Sequence, residues 1–575
     1  MKSKQPTQFT VADYLLTRLK QLQVTEVFQI PGDYVKHFTQ ALEHFDGVTA
    51  IGTANELDAA YAADAYARTK GLGAVSLQYG VSTYSALNAI AGAWVERSPV
   101  VVISATPGAD ARNMTNMYQV LFHHSTGNME ADQEIFEHVT IDAVTLSTSA
   151  DAPTIIDELL INALTYQRPV YIACYKEVWG EPCPKPDKKP LKARVMESVP
   201  ADLNNAVTQA WSMITASKNP LIFAGVEILR HGLSDLLQEL IDASGFLYTT
   251  TTLGKTVLDE KGDKFIGTYS DAASISTVTQ TVQNADMILT LGAIITDDYL
   301  WYVQNKYAQT VICNDDGMRA GYFMYEGVRL RDFMEALIKM FKANAKTYPI
   351  KAKAPAQPKW PNPWKENEDP NWVNDDSKLT FNKFFQHSMK YLTDNKMLDK
   401  IVFTLGVSSS LYVATNAYGL YQNSFISSAA WQIVGFETGA AAGAQLGSGK
   451  RAIAIAGDGG FMMICQSLST LAKYKINAVI FVMSNVVYGI EQVYVDMNAF
   501  NPGDQNKFDT FDILPEWDYM ALAQAFGANG IRVHNPEELN NAWKTISTTQ
   551  DKPTLVEVVI HKKDLPGQMQ RLGAE

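Results

Sequence analysis

Gly457-Asp458-Gly459-Gly460, with Asn485 downstream, supplies the residue types needed to hold a diphosphate through a divalent cation. Asp458 and Asn485 offer hard oxygen atoms of the kind Mg²⁺ takes when it bridges a protein to phosphate. Glycines let backbone N–H groups approach a phosphate closely, and a helix start favours negative charge. Gly-Asp-Gly alone is more often a tight turn, so the flanking elements decide. Residues 452–456 are short, apolar and partly β-branched, as in a buried parallel strand. Ile464, Leu468 and Leu471 recur at i, i+4 and i+7, the face of one helix. The run 478–483 reads as a second strand, stopping at Ser484-Asn485. Asp458 and Asn485 then lie past the ends of successive strands on one edge of a parallel sheet, where open α/β sheets bind ligands.

Short apolar strands alternate with helical stretches elsewhere too, at 74–78, 100–104, 170–174, 221–224, 287–291, 311–314, 401–405 and 555–560. This alternation predicts stacked α/β domains with parallel sheets. Two segments interrupt it. Residues 181–190, rich in proline and lysine, read as a linker; residues 351–372 mix prolines, tryptophans and charges, and read as a longer surface connection. The expected domains are 1–180, 191–345 and 379–575, with 346–378 as the connection. The strand 287–291 ends in Gly292 but no G-x-x-G follows, and Gly71-Leu72-Gly73 precedes a strand, so a bound dinucleotide is not expected.

A chain of 575 residues is too long for one core. Its 46% apolar and 19% charged residues are ordinary for a globular protein. With 48 Lys and Arg against 61 Asp and Glu, the net charge of −13 and the lack of a basic run argue against nucleic acid or anionic membranes as partners. Cys174, Cys183, Cys313 and Cys465 form no C-x-x-C pair and suit free thiols in a reducing cytosol. No apolar signal core follows Met1 and no apolar run reaches membrane-spanning length, so a cytoplasmic protein is expected.

Further acid–base residues lie near the start. Glu56 follows Asn55, a good N-cap, and Leu57, Ala60, Tyr61 and Ala65 make one helix face. Alone, Glu56 reads as an acid complementing the helix dipole, worth about 0.3–1 kcal/mol. Asp33, in Pro31-Gly32-Asp33-Tyr34, reads as a turn residue. His123-His124 reads as two partly exposed side chains, since adjacent residues diverge on a helix and make poor metal-ligand spacing.

Taken in chain order, Gly-Asp-Tyr, the Asn-Glu-Leu helix, His-His, Gly-Asp-Gly with Asn485, and Ile490-Glu491 form one pattern. The chain resembles the thiamine-diphosphate-dependent 2-oxo acid decarboxylases of the pyruvate and indolepyruvate decarboxylase group, from about Val11 to about Ile560. Acetohydroxyacid synthases and benzoylformate decarboxylases share the cofactor motif but not His-His with Gly-Asp-Tyr. The resemblance implies three stacked α/β domains: pyrimidine-binding, central and diphosphate-binding. It implies thiamine diphosphate, cradled by Gly457, Asp458, Gly459, Gly460, Asn485, Val487, Tyr488, Gly489 and Ile490. Mg²⁺ would be held by Asp458, Asn485 and the Val487 carbonyl. Glu56 would face the far pyrimidine nitrogen, because the cofactor becomes an electron sink only when its own aminopyrimidine takes a proton. The Gln432 carbonyl would receive the pyrimidine amine. Val434 would support the bent cofactor, although it is smaller than the family's usual Ile, Leu or Met. Asp33, His123, His124 and Glu491 carry over as proton-transfer and orienting groups, typically worth about 10²–10⁴-fold each. Active sites in the family lie between subunits, so at least a homodimer is implied, and homotetramers are common.

The implied reaction is non-oxidative decarboxylation of a 2-oxo acid to an aldehyde and CO₂. Ser409, in Leu405-Gly406-Val407-Ser408-Ser409, falls where pyruvate-specialised members carry a large aromatic residue. That leaves room for aromatic or long or branched aliphatic 2-oxo acids over pyruvate, with Tyr494 refilling part of the volume. Ser484 and Gly489 stand where Asn and Thr are frequent, and neither change removes a ligand. The alternatives are a carboligase forming 2-hydroxyketones, a flavin-binding synthase, and a non-catalytic homologue. The last would have no use for Glu56, His123, His124, Asp458, Asn485 and Glu491 together.

Overall fold

The computed structural model describes residues 8–355 and 378–574, which build three sheets. The first comprises β1 Glu26–Gln29, β2 Thr49–Gly52, β3 Gly73–Ser76, β4 Val100–Thr106, β5 Asp142–Leu146 and β6 Val170–Tyr175, all parallel, in the order 2-1-3-4-6-5. The second comprises β7 Pro220–Ala224, β8 Leu247–Thr250, β9 Phe265–Thr268, β10 Met287–Leu291, β11 Thr310–Asn314, β12 Gly317–Ala320 and β13 Phe323–Tyr325, in the order 13-12-11-10-7-8-9. The third comprises β14 Ile401–Leu405, β15 Phe425–Ser427, β16 Arg451–Gly457, β17 Val479–Ser484, β18 Asn529–Val533 and β19 Thr554–Val559, again parallel, in the order 15-14-16-17-19-18. The expected α/β architecture is therefore present. One edge of the middle sheet departs from it, because β11, β12 and β13 run antiparallel. Only Asp315 and Asp316 separate β11 from β12, far short of the dozen residues a parallel crossover needs.

Two compact units divide the chain. One holds the residues up to Val195 together with Gly439–Gly449 and Ile464–Ile476; the other holds Met196–Thr438, Lys450–Met463 and the residues from Asn477 onward. In the first unit, the Asn55 side chain accepts from the Asp58 N–H and starts the helix Glu56–Lys70. That helix shows no single apolar face; Asp58 through Arg68 are all buried. Its alanines permit close packing: a Cβ on Gly443 would fall 1.8 Å from the Ala62 carbonyl oxygen. The 181–190 linker has no helix or strand longer than a turn, yet it is tied down. Arg18, 4% exposed, pairs with Asp157 and also donates to Asp187 and the Lys189 carbonyl.

In the second unit, apolar side chains of β14, β16 and β17 pack with Phe384 and Trp543, while the middle sheet has its own core around Leu237, Leu289 and Phe333. The helix expected from Ile464, Leu468 and Leu471 is two helices, Asp458–Ile464 and Ser467–Lys473, broken at Cys465-Gln466. All three apolar residues are still buried, since the break keeps them inward. Of the connection expected at 346–378, residues 356–377 lie outside the described residues. Among the described residues no helix is long and apolar enough to cross a membrane.

Candidate active site

β16 and β17 are paired in register, Gly457 opposite Met483, so their carboxyl ends lie side by side. Asp458 begins the helix after β16, and Asn485 directly follows β17. The Asp458 carboxylate ties the two ends together. Its Oδ2 accepts from the Asn485 and Val486 N–H groups at 3.0 and 2.5 Å, and its Oδ1 accepts from Gly459 N–H at 3.0 Å. Val486 holds φ +54°, a real strain for a β-branched residue. Its carbonyl accepts from Leu514 N–H, and Tyr488 N–H donates to the Asp512 carbonyl, so hydrogen bonds flank Val487 on both sides. The turn bearing Asn485, Val487 and Tyr488 is thus clamped by Asp458 from one side and by 512–514 from the other.

A cleft opens at this edge. It is lined by Val434, Gly457, Asp458, Gly459, Gly460, Asn485, Val487, Tyr488, Gly489, Ile490 and Glu491, with Phe381, Val407, Ser408, Ser409 and Met483 completing the wall. The second-unit residues singled out from the sequence therefore converge, with the exceptions of Gln432 and of Tyr494, which lies outside the lining and does not refill the pocket. Gln432 lies outside the lining, at φ +54°, with its side-chain amide 3.0 Å from Asp298. Glu491 is exposed in the first turn of the helix Gly489–Asp496, and Tyr494, 60% exposed, lies one turn on.

In the first unit, Asp33, Glu56 and Gln78 follow the carboxyl ends of β1, β2 and β3, which are neighbours in the sheet. Gln78 Nε2 donates to Asp33 Oδ1 at 2.9 Å, and Gln78 Oε1 accepts from Tyr34 N–H. Ser82 Oγ donates to Glu56 Oε1 at 2.8 Å. The loop before Glu56 is pinned by Tyr474 OH, which accepts from Gly52 N–H, and by Thr470, whose hydroxyl accepts from Ala54 N–H and donates to the buried Asp58. The histidines sit after β4. The Tyr79 hydroxyl donates to the His123 carbonyl, and the His124 ring packs edge-on against Tyr34 and Tyr79. His124 itself has φ +70°, and a Cβ on Gly80 would fall 2.2 Å from its carbonyl oxygen, so the His-His turn fits only against a glycine. Both histidines and Asp33 are solvent-exposed.

Sequence reasoning missed several supports. The apolar run predicts a strand over 74–78, but β3 ends at Ser76 and frees Gln78 to reach Asp33. Tyr79, Ser82 and Asp132, whose carboxylate accepts from Gly80 N–H and Thr83 Oγ, carried no motif. Glu437 is the largest omission. It is 2% exposed, the second residue of the helix Phe436–Ser448, with its carboxyl beneath the cradle. A Cβ on Gly460 would meet its Oε1 at 2.3 Å and one on Gly406 its Oε2 at 1.9 Å. Burial pushes its pKa up to about 8, against the backbone N–H groups of Glu437, Gly435 and Gly406. Oε2 faces Gly406 without a well-aligned hydrogen bond.

The donor set suits a cation-bridged diphosphate. Burial raises Asp458 to about 6, opposed only by backbone N–H groups. The hydrogen bonds from Gly459, Asn485 and Val486 use three of a carboxylate's roughly four acceptor positions, leaving one for a hard cation. Among the described residues no three His, Cys, Asp or Glu gather, so amide, carbonyl and phosphate oxygens would complete the sphere. Gly459 and Gly460 keep the cradle open, because a Cβ on Gly459 would lie 2.2 Å from the Tyr488 ring.

Comparison with known proteins identifies the class. Three family models match in chain order: the N-terminal TPP binding domain of thiamine pyrophosphate enzymes over residues 9–133, their central domain over 207–321, and their C-terminal TPP binding domain over 406–558. Apart from Phe381, the residues lining the cleft fall within the last of these. Pyruvate decarboxylase isozyme 3 of Saccharomyces cerevisiae is 29% identical over 95% of this chain and 93% of its own. Pyruvate decarboxylases of Candida glabrata and Hanseniaspora uvarum are 28% and 27% identical, over 97% and 98% of this chain and 97% of each relative. The chain belongs to the thiamine-diphosphate-dependent 2-oxo acid decarboxylase family, and is an enzyme of that class.

Proposed function

We propose that the protein converts a 2-oxo acid to an aldehyde and CO₂ with thiamine diphosphate anchored through Mg²⁺ by Asp458, Asn485 and the Val487 carbonyl. The observation that carries this reading is the convergence of Asp458, Asn485 and the open glycines on one cleft. Thiamine diphosphate, when bound, supplies the electron sink for the pair left by departing CO₂. Glu56, fixed by Ser82, would face the far pyrimidine nitrogen and hold the proton exchanged there. Val434 would support the cofactor from the cleft wall. Asp33, His123, His124 and Glu491 would orient the substrate and deliver the proton to the carbon that has lost its carboxylate. The apolar wall of Val407, Val434, Met483 and Ile490 thins the water around a carboxylate and so favours its loss as neutral CO₂.

The relatives are named for pyruvate, but Ser409 supports a larger substrate for this chain. It is buried in the cleft wall beside Gly489, and its side chain is far smaller than an aromatic ring. The preferred substrates are aromatic or long or branched aliphatic 2-oxo acids. Around the cleft, Tyr494, Val495, Phe511 and Ile513 are more than half exposed. In the first unit so are Met117, Tyr118 and Leu121, close in sequence to the histidines. These apolar faces support a homodimer in which the first unit of one copy completes the cleft of another, and a tetramer of two such dimers. The functional domains are 1–180 for the pyrimidine, 191–345 between, and 379–575 for the diphosphate, acting in the cytoplasm.

Incubation with thiamine diphosphate, Mg²⁺ and a panel of 2-oxo acids, coupled to an alcohol dehydrogenase, tests the reading. Aldehyde should form fastest from a bulky substrate. Exclusive formation of 2-hydroxyketones would make the protein a carboligase, and a highest kcat/KM for pyruvate would overturn the substrate preference.

A further inference from the structure

Asp298 stands at the carboxyl end of the middle sheet, in the 3-10 turn Asp297–Tyr299 after β10, yet two of its contacts are with elements of the third sheet. Its Oδ2 accepts from the Gln432 side-chain amide at 3.0 Å, and its Oδ1 accepts from the Tyr412 hydroxyl at 3.3 Å. Gln432 Nε2 also approaches the Tyr412 hydroxyl at 3.5 Å, closing a three-membered ring of polar contacts. Tyr412 is 2% exposed and packs in one cluster with Val493, on the helix that carries Glu491, and with Met569 and Leu572 of the last helix. It is therefore a rigid post. Gln432 is the opposite, with its backbone at φ +54°, a region in which a residue with a Cβ stays only if its surroundings hold it. It also lies two residues before Val434, which lines the cleft.

We propose that Asp298 is a positioning residue for the pyrimidine end of the cofactor. By gripping the Gln432 side chain against Tyr412, it keeps the Gln432 backbone in its left-handed conformation, and so fixes which way the 432 carbonyl is presented. This rests on the functional reading above, which gives that carbonyl the pyrimidine amine. It adds that a carboxylate of the central sheet, outside the cleft lining, sets the cofactor's affinity. A hydrogen bond to a charged group accounts for roughly a ten- to hundredfold effect when lost. An amide at position 298 still offers one oxygen to the Gln432 donor, so the conservative variant should recover most of it.

Calorimetric titration of the cofactor-free full chain separates positioning from general damage. Wild type, Asp298→Ala and Asp298→Asn are each titrated with thiamine diphosphate and, separately, with inorganic pyrophosphate, both with Mg²⁺. Asp298→Ala should weaken thiamine diphosphate roughly tenfold or more and leave pyrophosphate unchanged, because only the pyrimidine end is affected. Asp298→Asn should lie within about threefold of wild type. Unchanged thiamine diphosphate affinity in Asp298→Ala, or an equal loss for both ligands, would overturn the proposal. A wild-type protein that binds neither ligand would instead overturn the functional reading.

Discussion

Replacing Glu437 by Gln should make the cofactor-free protein progressively more stable relative to wild type as pH rises from 5 to 8. Glu437 is 2% exposed, and burial lifts its pKa from 4.5 to about 8. Between those values the folded chain keeps a proton that the unfolded chain releases. Stability from this group is therefore complete below about 4.5 and lost as pH climbs through about 8. At about 1.36 kcal/mol per unit, the upper bound on the loss is roughly 5 kcal/mol. Glutamine is of similar size and cannot ionise, so it lacks this slope. Asp458, also raised, titrates in both proteins and cancels from the difference. Differential scanning fluorimetry at pH 5, 6, 7 and 8 reads the two midpoints. Even a third of the bound, at about 2 °C per kcal/mol for domains of this size, separates them by roughly 3 °C more at pH 8 than at pH 5. Parallel midpoints across that range would refute the argument that this carboxyl is buried in its neutral form beneath the cradle.

Asp33→Asn and Glu491→Gln should each lower kcat by roughly 10²–10⁴-fold, with unfolding midpoints unchanged because both side chains are exposed; full turnover by either variant removes its role. Gly459→Ala should weaken thiamine diphosphate binding, by about 1–3 kcal/mol in a titration, since its Cβ would meet the Tyr488 ring at 2.2 Å; wild-type affinity would mean the ring moves aside freely. Ser409→Phe should shift kcat/KM toward pyruvate and away from an aromatic 2-oxo acid by roughly tenfold or more; an unchanged ratio would place specificity elsewhere.

The diphosphate end of the site was legible because its geometry is local. β16 and β17 are continuous apolar runs, and the residues that matter sit where those runs stop. Among the described residues, nine strands lie outside the expected set, namely β1, β2, β5, β8, β9, β12, β13, β15 and β18; EVFQ, TAIG and DAVTL of the first sheet, for example, are short and mix polar with apolar residues. Gln78 was hidden by a strand that ends two residues early, and strand ends are fixed by pairing partners distant in sequence. Glu437 looks like any acid in the first turn of a helix. Only the fold shows that Gly406 and Gly460 close over it. Asp298 meets Gln432 across 134 residues of sequence, and no local pattern records such a contact.

Electron paramagnetic resonance with Mn²⁺ in place of Mg²⁺ tests the central claim most directly. In the presence of thiamine diphosphate, one Mn²⁺ per chain should lose its free-ion signal, and Asp458→Ala should restore that signal under the same conditions. A free-ion signal that persists in the wild-type protein with cofactor present, or one equally quenched in Asp458→Ala, would contradict an anchor built from Asp458 and Asn485.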